Sequence, residues 1–331
     1  MTAMFRFVVA TILSSVAFAQ TAPEPEIALA AKSPMTLARY VESHKEIDWG
    51  ALGKALGTDP KKITTCGYAE NLCSTEIVNV LSPDQALVII RGGFLSRNVV
   101  YLRYLEEPSG GWRFAGARNA YTKEFPSHHE VMRVGSKPFL KISRDDSQIG
   151  MGVTQEVEDW FDLTQPDFEP IFSFTLDGDE GRWSMGVGRS IHAQASVSEA
   201  SGLERIDLVL SIHFSGPGLD VEDIYLGIYE RPANAKAFSL RTAYSGLDRR
   251  TTISTGDFEE LADPFSGLSN EKLLAYALPG LQKIAKGSDP DAREWLQSIL
   301  NYAKDTPEKR ELLDLLKKPS GPAQPAPPKP R

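Results

Sequence analysis

The stretch from Trp183 to Phe214, which reads WSMGVGRSIHAQASVSEASGLERIDLVLSIHF, decides the fold of this chain. From Trp183 to Ser198 apolar residues alternate with small or polar residues, and the alternation returns from Ile206 onward. A period of two residues is that of a β-strand with one buried face and one exposed face. The sequence therefore predicts two long strands that form an antiparallel hairpin.

The register of this hairpin follows from its apolar residues. We place the turn at residues 199–202, which sets Ile191 opposite Leu210 and Ala193 opposite Leu208. The apolar faces of both strands then coincide, as they must, because a shift by one residue would turn every side chain to the other face.

The polar face of the hairpin holds the best-defined group of candidate catalytic residues. In this register Gln194 lies opposite Asp207, with His192 on the diagonal, and Ser190 lies opposite Ser211. A histidine near an aspartate and serines invites comparison with a hydrolase triad. The chain has no Gly-x-Ser-x-Gly nucleophile elbow, however, so a solvated polar face is the favoured interpretation and His192 and Asp207 are weak candidates.

The period-two signal extends over the middle of the chain, from about Thr75 to Tyr244. Strands are predicted at residues 75–81, 86–91, 98–106, 111–115, 130–134, 138–143, 148–153, 157–163, 170–177, 183–198, 203–214, 224–230 and 237–244. Short strands separated by clusters of Gly, Pro, Asp and Ser are typical of antiparallel sheets. We therefore predict an α+β fold whose mostly antiparallel β core is sandwich- or barrel-like.

Helical signals flank this core. Ser33 and Asp48 are predicted N-caps of two short helices, and Ser269, Ser288 and Thr306 are predicted to begin helices in a C-terminal unit with a period of 3.6 residues.

The predicted organisation has five parts. They are a signal peptide (1–19), a mobile segment with the helical pair (20–65), the β domain (66–245), the helical unit (262–318) and a disordered proline-rich tail (319–331).

The first nineteen residues have the pattern of an export signal. Arg6 supplies the positive region, residues 7–16 form a short apolar region, and residues 17–19 read Ala-Phe-Ala, which signal peptidase accepts. We expect the mature chain to begin at Gln20 and to be periplasmic or secreted.

Charge and motifs exclude several classes of function. The net charge is -8, and removal of the signal takes away only Arg6, so the mature chain carries -9. An acidic chain without basic runs argues against nucleic acid as a partner. No apolar run reaches 18 residues, so we expect no membrane span. No nucleotide-binding loop occurs, and we expect no cofactor.

The two cysteines, Cys66 and Cys73, are separated by six residues. In an oxidising compartment such a pair is expected to form a structural disulfide that closes a small loop. A redox pair would be expected as Cys-x-x-Cys, and a metal site would need further ligands nearby.

Metal sites are not favoured by the histidines or by the aspartates. His128 and His129 are adjacent and should point to opposite faces if they lie on a strand. His213 is expected about 13 Å from His192, too far to share a metal. Residues 176–181 read LDGDEG, which lacks the full calcium-loop pattern and is predicted to be a tight turn.

An acidic and aromatic stretch at residues 156–162 is a second catalytic candidate. Its carboxylates are Glu156, Glu158, Asp159 and Asp162, which surround Trp160 and Phe161. Glycoside hydrolases use paired carboxylates in such surroundings, so Glu156 and Glu158 are weak candidates. Solvated charges on a strand are the simpler interpretation.

These observations predict an exported, soluble protein that is non-catalytic and binds a ligand or associates with the envelope. The alternative is a cofactor-free secreted hydrolase that acts on an extracellular polymer, so whether the chain is an enzyme stays open. A third hypothesis is self-assembly through the helical unit or the hairpin edge. Protein and polysaccharide are the partner classes left open.

Overall fold

The computed structural model describes residues 25–44, 46–64, 73–79, 84–92, 98–148, 150, 152–181, 186–200 and 202–318. The predicted signal peptide at residues 1–19, Cys66 and the predicted tail at residues 319–331 lie outside these described residues.

Helices stand at both ends of the described chain, and strands occupy its middle. The helices are α1 (Pro25–Ala30), α2 (Pro34–Ser43), α3 (Trp49–Leu56), a 3₁₀ turn (Pro60–Lys62), α4 (Thr255–Ala262), α5 (Asn270–Tyr276), α6 (Leu278–Lys286), α7 (Pro290–Tyr302) and α8 (Pro307–Leu316). The strands are β1 (Ser74–Asn79), β2 (Gln85–Arg91), β3 (Asn98–Glu106), β4 (Trp112–Tyr121), β5 (His129–Val134), β6 (Lys137–Asp145), β7 (Val153–Asp162), β8 (Phe172–Glu180), β9 (Gly188–Ala200), β10 (Leu203–Gly216), β11 (Leu219–Pro232), β12 (Ser239–Ser245) and β13 (Thr251–Ile253). None of the helices in these residues is long and apolar enough to span a membrane.

The two predicted N-terminal helices are confirmed, together with the residues that cap them. Ser33 Oγ accepts a hydrogen bond from the Thr36 N–H at the start of α2. Asp48 accepts one from the Ala51 N–H at the start of α3. Each cap satisfies a backbone donor that the helix itself leaves without a partner.

Helix α1 lies in the part of residues 20–65 that precedes the predicted helical pair and that we expected to be mobile. Its Ile27 and Ala30 are buried in the same core as α2, α3 and the adjacent sheet. A six-residue helix is not stable alone in water, so this burial stabilises it.

All strands pair in an antiparallel manner, which confirms the predicted fold class. They form two sheets, one with the order β1-β2-β3-β4 and one with the order β13-β12-β11-β10-β9-β8-β7-β6-β5. The predicted strand at residues 148–153 is wrong for the described residues, because Gln148 forms only an isolated bridge with Val153, the first residue of β7, and Gly150 and Gly152 are not in a strand. The three-residue β13 has no counterpart in the prediction.

The β9–β10 hairpin forms, but its register differs from the predicted one by two residues. Leu210 pairs with Ala193 rather than with Ile191. Only two residues separate the strands, and one of them, Gly202, has a φ of 75° that suits a tight turn. A shift of two residues keeps every side chain on its predicted face, so the apolar faces still coincide.

Three buried clusters join the layers. One lies between the N-terminal helices and the four-stranded sheet and includes Leu37. A second lies between the two sheets and includes Ile89 and Phe161. The third packs the nine-stranded sheet against the C-terminal helices through residues such as Phe214 and Leu296.

The C-terminal helical unit begins at Thr255, before the predicted start at residue 262. Ser269 and Thr306 cap α5 and α8 as predicted. Asp289, rather than Ser288, caps α7 by accepting hydrogen bonds from two backbone N–H groups of its first turn.

Strands β8 and β9 separate along part of their length. Their ladder joins only residues 177–180 to residues 189–192. A bulge interrupts the β7–β8 ladder between Glu156 and Val157, and β8 diverges beyond it. Among the described residues, the rest of β9 pairs only with β10 and has no partner on the β8 side.

A buried arginine ties this part of the sheet to α4. Arg189 is 1% exposed and its Nη2 lies 2.9 Å from the carboxylate of Glu180. The same guanidinium donates to the backbone carbonyls of Glu260 and Asp263 at the end of α4. These bonds satisfy helix-terminal acceptors and hold α4 over the sheet.

Candidate functional site

The β9–β10 hairpin buries one face and leaves the other open. On β10, the even-numbered residues from Glu204 to Phe214 are buried, whereas the odd-numbered residues between them are partly exposed. Helices α4–α8 contribute to the core on the buried side. The open side carries the polar residues of β9 and β10.

A groove of about 530 Å³ crosses this open side between β7 and β11. We call it the polar groove. Its polar and aromatic lining consists of Phe125, Thr154, Asp177, Asp179, Ser190, His192, Ser211, His213 and Glu222.

Hydrogen bonds connect neighbouring strands across the polar groove. His192 Nδ1 donates to Asp177 Oδ1 over 2.7 Å, which joins β9 to β8. Ser211 Oγ donates to Glu222 Oε1 over 2.5 Å, which joins β10 to β11. His192 and Ser211 are themselves directly opposite in the β9–β10 ladder. The four side chains therefore form one row across four strands.

This row lies in contact with solvent. The side chains of His192 and Asp177 are 55% and 46% exposed, respectively. An ion pair at such a site contributes little to folding stability, because water screens it. The row is therefore not needed to hold the sheet together, and its side chains are accessible to a ligand.

The structure does not bring the predicted pair His192 and Asp207 together. Asp207 lies opposite Ser196, four residues further along β9 than His192. Its carboxylate accepts hydrogen bonds from Arg205 at 2.6 Å and from Arg249 at 3.2 Å. Asp177, which the sequence places where a predicted strand (170–177) meets a predicted turn (176–181), lies beside His192 because β8 continues to Glu180.

Glu156 and Glu158 have different surroundings. Glu158 accepts a hydrogen bond of 2.7 Å from the indole Nε1 of Trp160, and Lys141 lies 3.8 Å from it. Glu156 lies opposite Asp177 in the β7–β8 ladder. Burial raises the pKa of Glu156, a hydrogen bond with Ser143 opposes this rise, and the negative charge of Asp177 adds to it.

The acidic stretch at residues 156–162 does not form a groove of its own. Asp159 is fully buried between the sheets, where Arg118, Arg144 and Ser173 donate to its carboxylate. Asp162 is buried as well and pairs with a buried arginine of β11. These two carboxylates are neutralised within the protein and are not presented to a ligand.

The histidines are distributed differently from the prediction in one respect. In the β9–β10 ladder Ser190 lies opposite His213, and His192 lies opposite Ser211. The two histidines are therefore diagonal neighbours, roughly 7–8 Å apart rather than 13 Å. His129 packs against the ring of Tyr101 at 5.9 Å, and burial lowers its pKa. Among the described residues, no group of three or more His, Cys, Asp or Glu side chains is placed to hold a metal ion.

Sequence reasoning missed Asp177 and Glu222 as members of the site. The sequence predicts that the strand ends at Asp177, because Asp-Gly-Asp is a common turn sequence. In the structure the strand continues through Gly178 and Asp179 to Glu180 and pairs with β9 there, which the local sequence does not indicate. Glu222 belongs to the N-terminal half of β11, a part of the strand that the prediction omitted.

The predicted disulfide stays a prediction. Cys73 is buried at the start of β1 in the N-terminal core, whereas Cys66 lies outside the described residues.

No known protein family matches this chain, and no curated protein and no solved structure resembles it at a significant level. Any statement about function therefore depends on the residues and geometry described above.

Proposed function

We propose that this chain is an exported, non-catalytic binding protein and that the polar groove binds a hydroxyl-rich polymer such as a polysaccharide. The observation that carries the proposal is the row formed by Asp177, His192, Ser211 and Glu222, which is ordered by hydrogen bonds and yet exposed.

The shape of the groove supports a polymeric ligand. Neighbouring strands lie about 4.8 Å apart, so a groove from β7 to β11 extends over roughly 19 Å. It is open along this length, and a ligand can enter and leave at its ends. A chain of several sugar residues can occupy such a groove in an extended form.

The chemistry of the groove supports hydroxyl groups as the recognised feature. Carboxylates accept hydrogen bonds, while imidazoles and serine hydroxyls both donate and accept. A sugar hydroxyl also donates and accepts, so it can join such a row at many points. Asp177 and Glu222 each accept one hydrogen bond within the protein, which leaves further lone pairs of their carboxylates for the hydroxyl groups of a ligand. Phe125 adds one apolar surface at the edge of the groove.

Exposure also supports binding rather than catalysis. Electrostatic stabilisation of a transition state is strongest in sites that exclude water. His192 is more than half exposed, and the residues beside it in the ladders are polar and accessible.

A second candidate function is a hydrolase, and one observation favours it. Glu156, whose pKa is raised, lies directly opposite Asp177 on the neighbouring strand. A carboxyl group with a raised pKa beside a second carboxylate is a pattern used for acid–base catalysis of glycoside hydrolysis.

Export is part of the proposal and depends on residues 1–19. Their charged, apolar and small-residue regions follow the order of a cleavable signal. N-terminal sequencing of the protein after expression with its own leader should find Gln20 as the first residue.

The binding proposal can be tested by affinity electrophoresis of the purified protein in gels that contain dextran, xylan or another soluble neutral polysaccharide. We expect at least one of these polymers to retard the protein, and His192→Ala to weaken the retardation at least severalfold. Gln194→Ala is the matched control, because Gln194 is exposed two residues away on the same strand and does not line the groove.

Two results would contradict the proposal. The first is equal retardation of the His192→Ala and wild-type proteins. The second is binding of a basic peptide in solution with no retardation by any polysaccharide, which would assign the groove to cationic protein segments.

The hydrolase alternative needs a separate measurement. Release of reducing ends from the retarding polymer, abolished by Glu156→Gln, would replace the binding proposal with a catalytic one. Retardation without release of reducing ends supports a binding protein.

A further inference from the structure

A second concave site lies on the opposite side of the nine-stranded sheet from the polar groove. It is a cleft of about 380 Å³ at the place where β8 separates from β9, beneath the end of α4. We call it the apolar cleft. Its lining residues are Gln155, Val157, Ser173, Phe174, Thr175, Leu208, Leu210, Tyr229, Glu259, Ala262 and Asp263.

The walls of the cleft are apolar and rigidly held. Leu208 and Leu210 are buried on the core face of β10, and Phe174 stacks on Phe172 with ring centroids 5.3 Å apart. The bulge in the β7–β8 ladder lies at the point beyond which β8 no longer pairs with β9. Its volume is at the small end of the range for ligand pockets.

Two buried polar side chains line the cleft and are hydrogen-bonded to each other. Gln155 is 6% exposed and Thr175 is 5% exposed, and the Gln155 amide donates to Thr175 Oγ1 over 2.7 Å. The side-chain oxygen of Gln155 is not one of the buried atoms that lack a hydrogen-bond partner among the described residues, and the residue lines the cleft. It is therefore accessible from the cleft, where the N–H group of a ligand can donate to it.

The mouth of the cleft is acidic. Glu259 is exposed on α4, and Asp263 follows that helix. Burial raises the pKa of Tyr229, and the negative charge of Glu259 raises it further. No lysine or arginine is among the described residues that line the cleft.

We propose that the apolar cleft binds a small organic cation, an amine with an apolar body. The apolar body would contact Val157, Leu208 and Leu210, and the ammonium group would donate to Gln155 Oε1 or to the carboxylates at the mouth. The inference is independent of the polar groove, because Gln155 and His192 lie on opposite faces of the sheet.

The test uses three probes of equal length and different charge, which are hexylamine, hexan-1-ol and hexanoate. Saturation-transfer NMR titrations of the full chain measure the Kd of each. We expect hexylamine to bind most tightly, hexan-1-ol more weakly and hexanoate most weakly, because the mouth is acidic and has no basic residue in its lining.

Three variants locate the binding. Glu259→Gln should raise the Kd of hexylamine roughly two- to fivefold and leave that of hexan-1-ol unchanged, as expected for an exposed charge. Glu294→Gln, an exposed acid on α7, is the charge-matched control and should change neither value. His192→Ala should also change neither value, since it alters only the polar groove.

The proposal is overturned if hexanoate binds as tightly as hexylamine, if no probe binds, or if Glu259→Gln leaves the hexylamine affinity unchanged. A loss of hexylamine binding in His192→Ala would place the amine in the polar groove and would overturn it as well. Because Glu259 is exposed, its substitution does not endanger folding.

Discussion

Gly280→Ala provides a sharp test of how the helical unit packs on the sheet. Gly280 lies in the first turn of α6, where helix propensity alone favours alanine by about 0.5–1 kcal/mol. The structure places this glycine against β11. A Cβ atom added to it would lie 2.1 Å from Val221 Cγ2 and 2.8 Å from Leu219 Cδ1.

The clash outweighs the gain in propensity. Carbon atoms in contact normally lie about 3.5–4.0 Å apart, so α6 would have to move by more than 1 Å or Val221 would have to leave its rotamer. Overpacking of this kind costs about 1–3 kcal/mol. Subtracting the propensity gain leaves a net destabilisation of up to about 2.5 kcal/mol, with a central value of about 1 kcal/mol.

Gly256→Ala is the matched control for this substitution. Gly256 lies in the first turn of α4, and an added Cβ would meet no atom within 4 Å. We expect this variant to be as stable as the wild type or more stable by up to about 1 kcal/mol.

Urea unfolding followed by tryptophan fluorescence measures both variants. Trp295 on α7 packs against the same core and reports on the helical unit. The free energies are compared at equal m-values, because a changed m-value would mean a changed unfolding process. If Gly280→Ala proved as stable as Gly256→Ala, the close packing of α6 on β11 would be refuted.

Three further predictions concern charge and covalent structure. Arg189→Met should lower the free energy of unfolding by about 3–5 kcal/mol, because it leaves a buried carboxylate and two helix-end carbonyls without their donor; a loss below 1 kcal/mol in urea unfolding would contradict this. Burial raises the pKa of Asp162, but hydrogen bonds, including one from Arg231, lower it by more than burial raises it. The pKa in the folded protein therefore lies below the ordinary value. Its contribution is therefore present above about pH 4 and lost as pH falls through the folded value, and Asp162→Asn should lose less stability than the wild type between about pH 4 and pH 2 in thermal melts. Finally, iodoacetamide should label neither Cys66 nor Cys73 under denaturing conditions until a reductant is added, and reduction should cost about 2.5 kcal/mol or less; labelling of the unreduced chain, detected by mass spectrometry, would exclude the disulfide.

Local signals predicted the helix starts well. Ser33, Asp48, Ser269 and Thr306 each accept a backbone hydrogen bond at the position that the sequence indicated. A capping residue acts within three positions of itself, so its effect is contained in the local sequence. The one exception, Asp289 in place of Ser288, is a choice between neighbouring residues that can both cap.

Alternation predicted the strands and their faces, but it left the pairing undetermined. A register shifted by two residues preserves every face, so the apolar pattern cannot distinguish Leu210 opposite Ala193 from Leu210 opposite Ile191. The length of the turn decides between them. For the candidate site the consequence is large, because the shift moves His213 next to His192 and keeps Asp207 away.

The sequence by itself determined the α+β class, the antiparallel hairpin, the capped helices and the residue types on the polar face, because each depends on the periodicity or chemistry of a short segment. Only the tertiary structure decided that the strands divide into two sheets, that Asp177 is the partner of His192, and that β8 leaves β9 to open the apolar cleft. These features join segments far apart in the chain, and their geometry depends on a bulge, a turn length and the packing of α4, none of which a local pattern specifies.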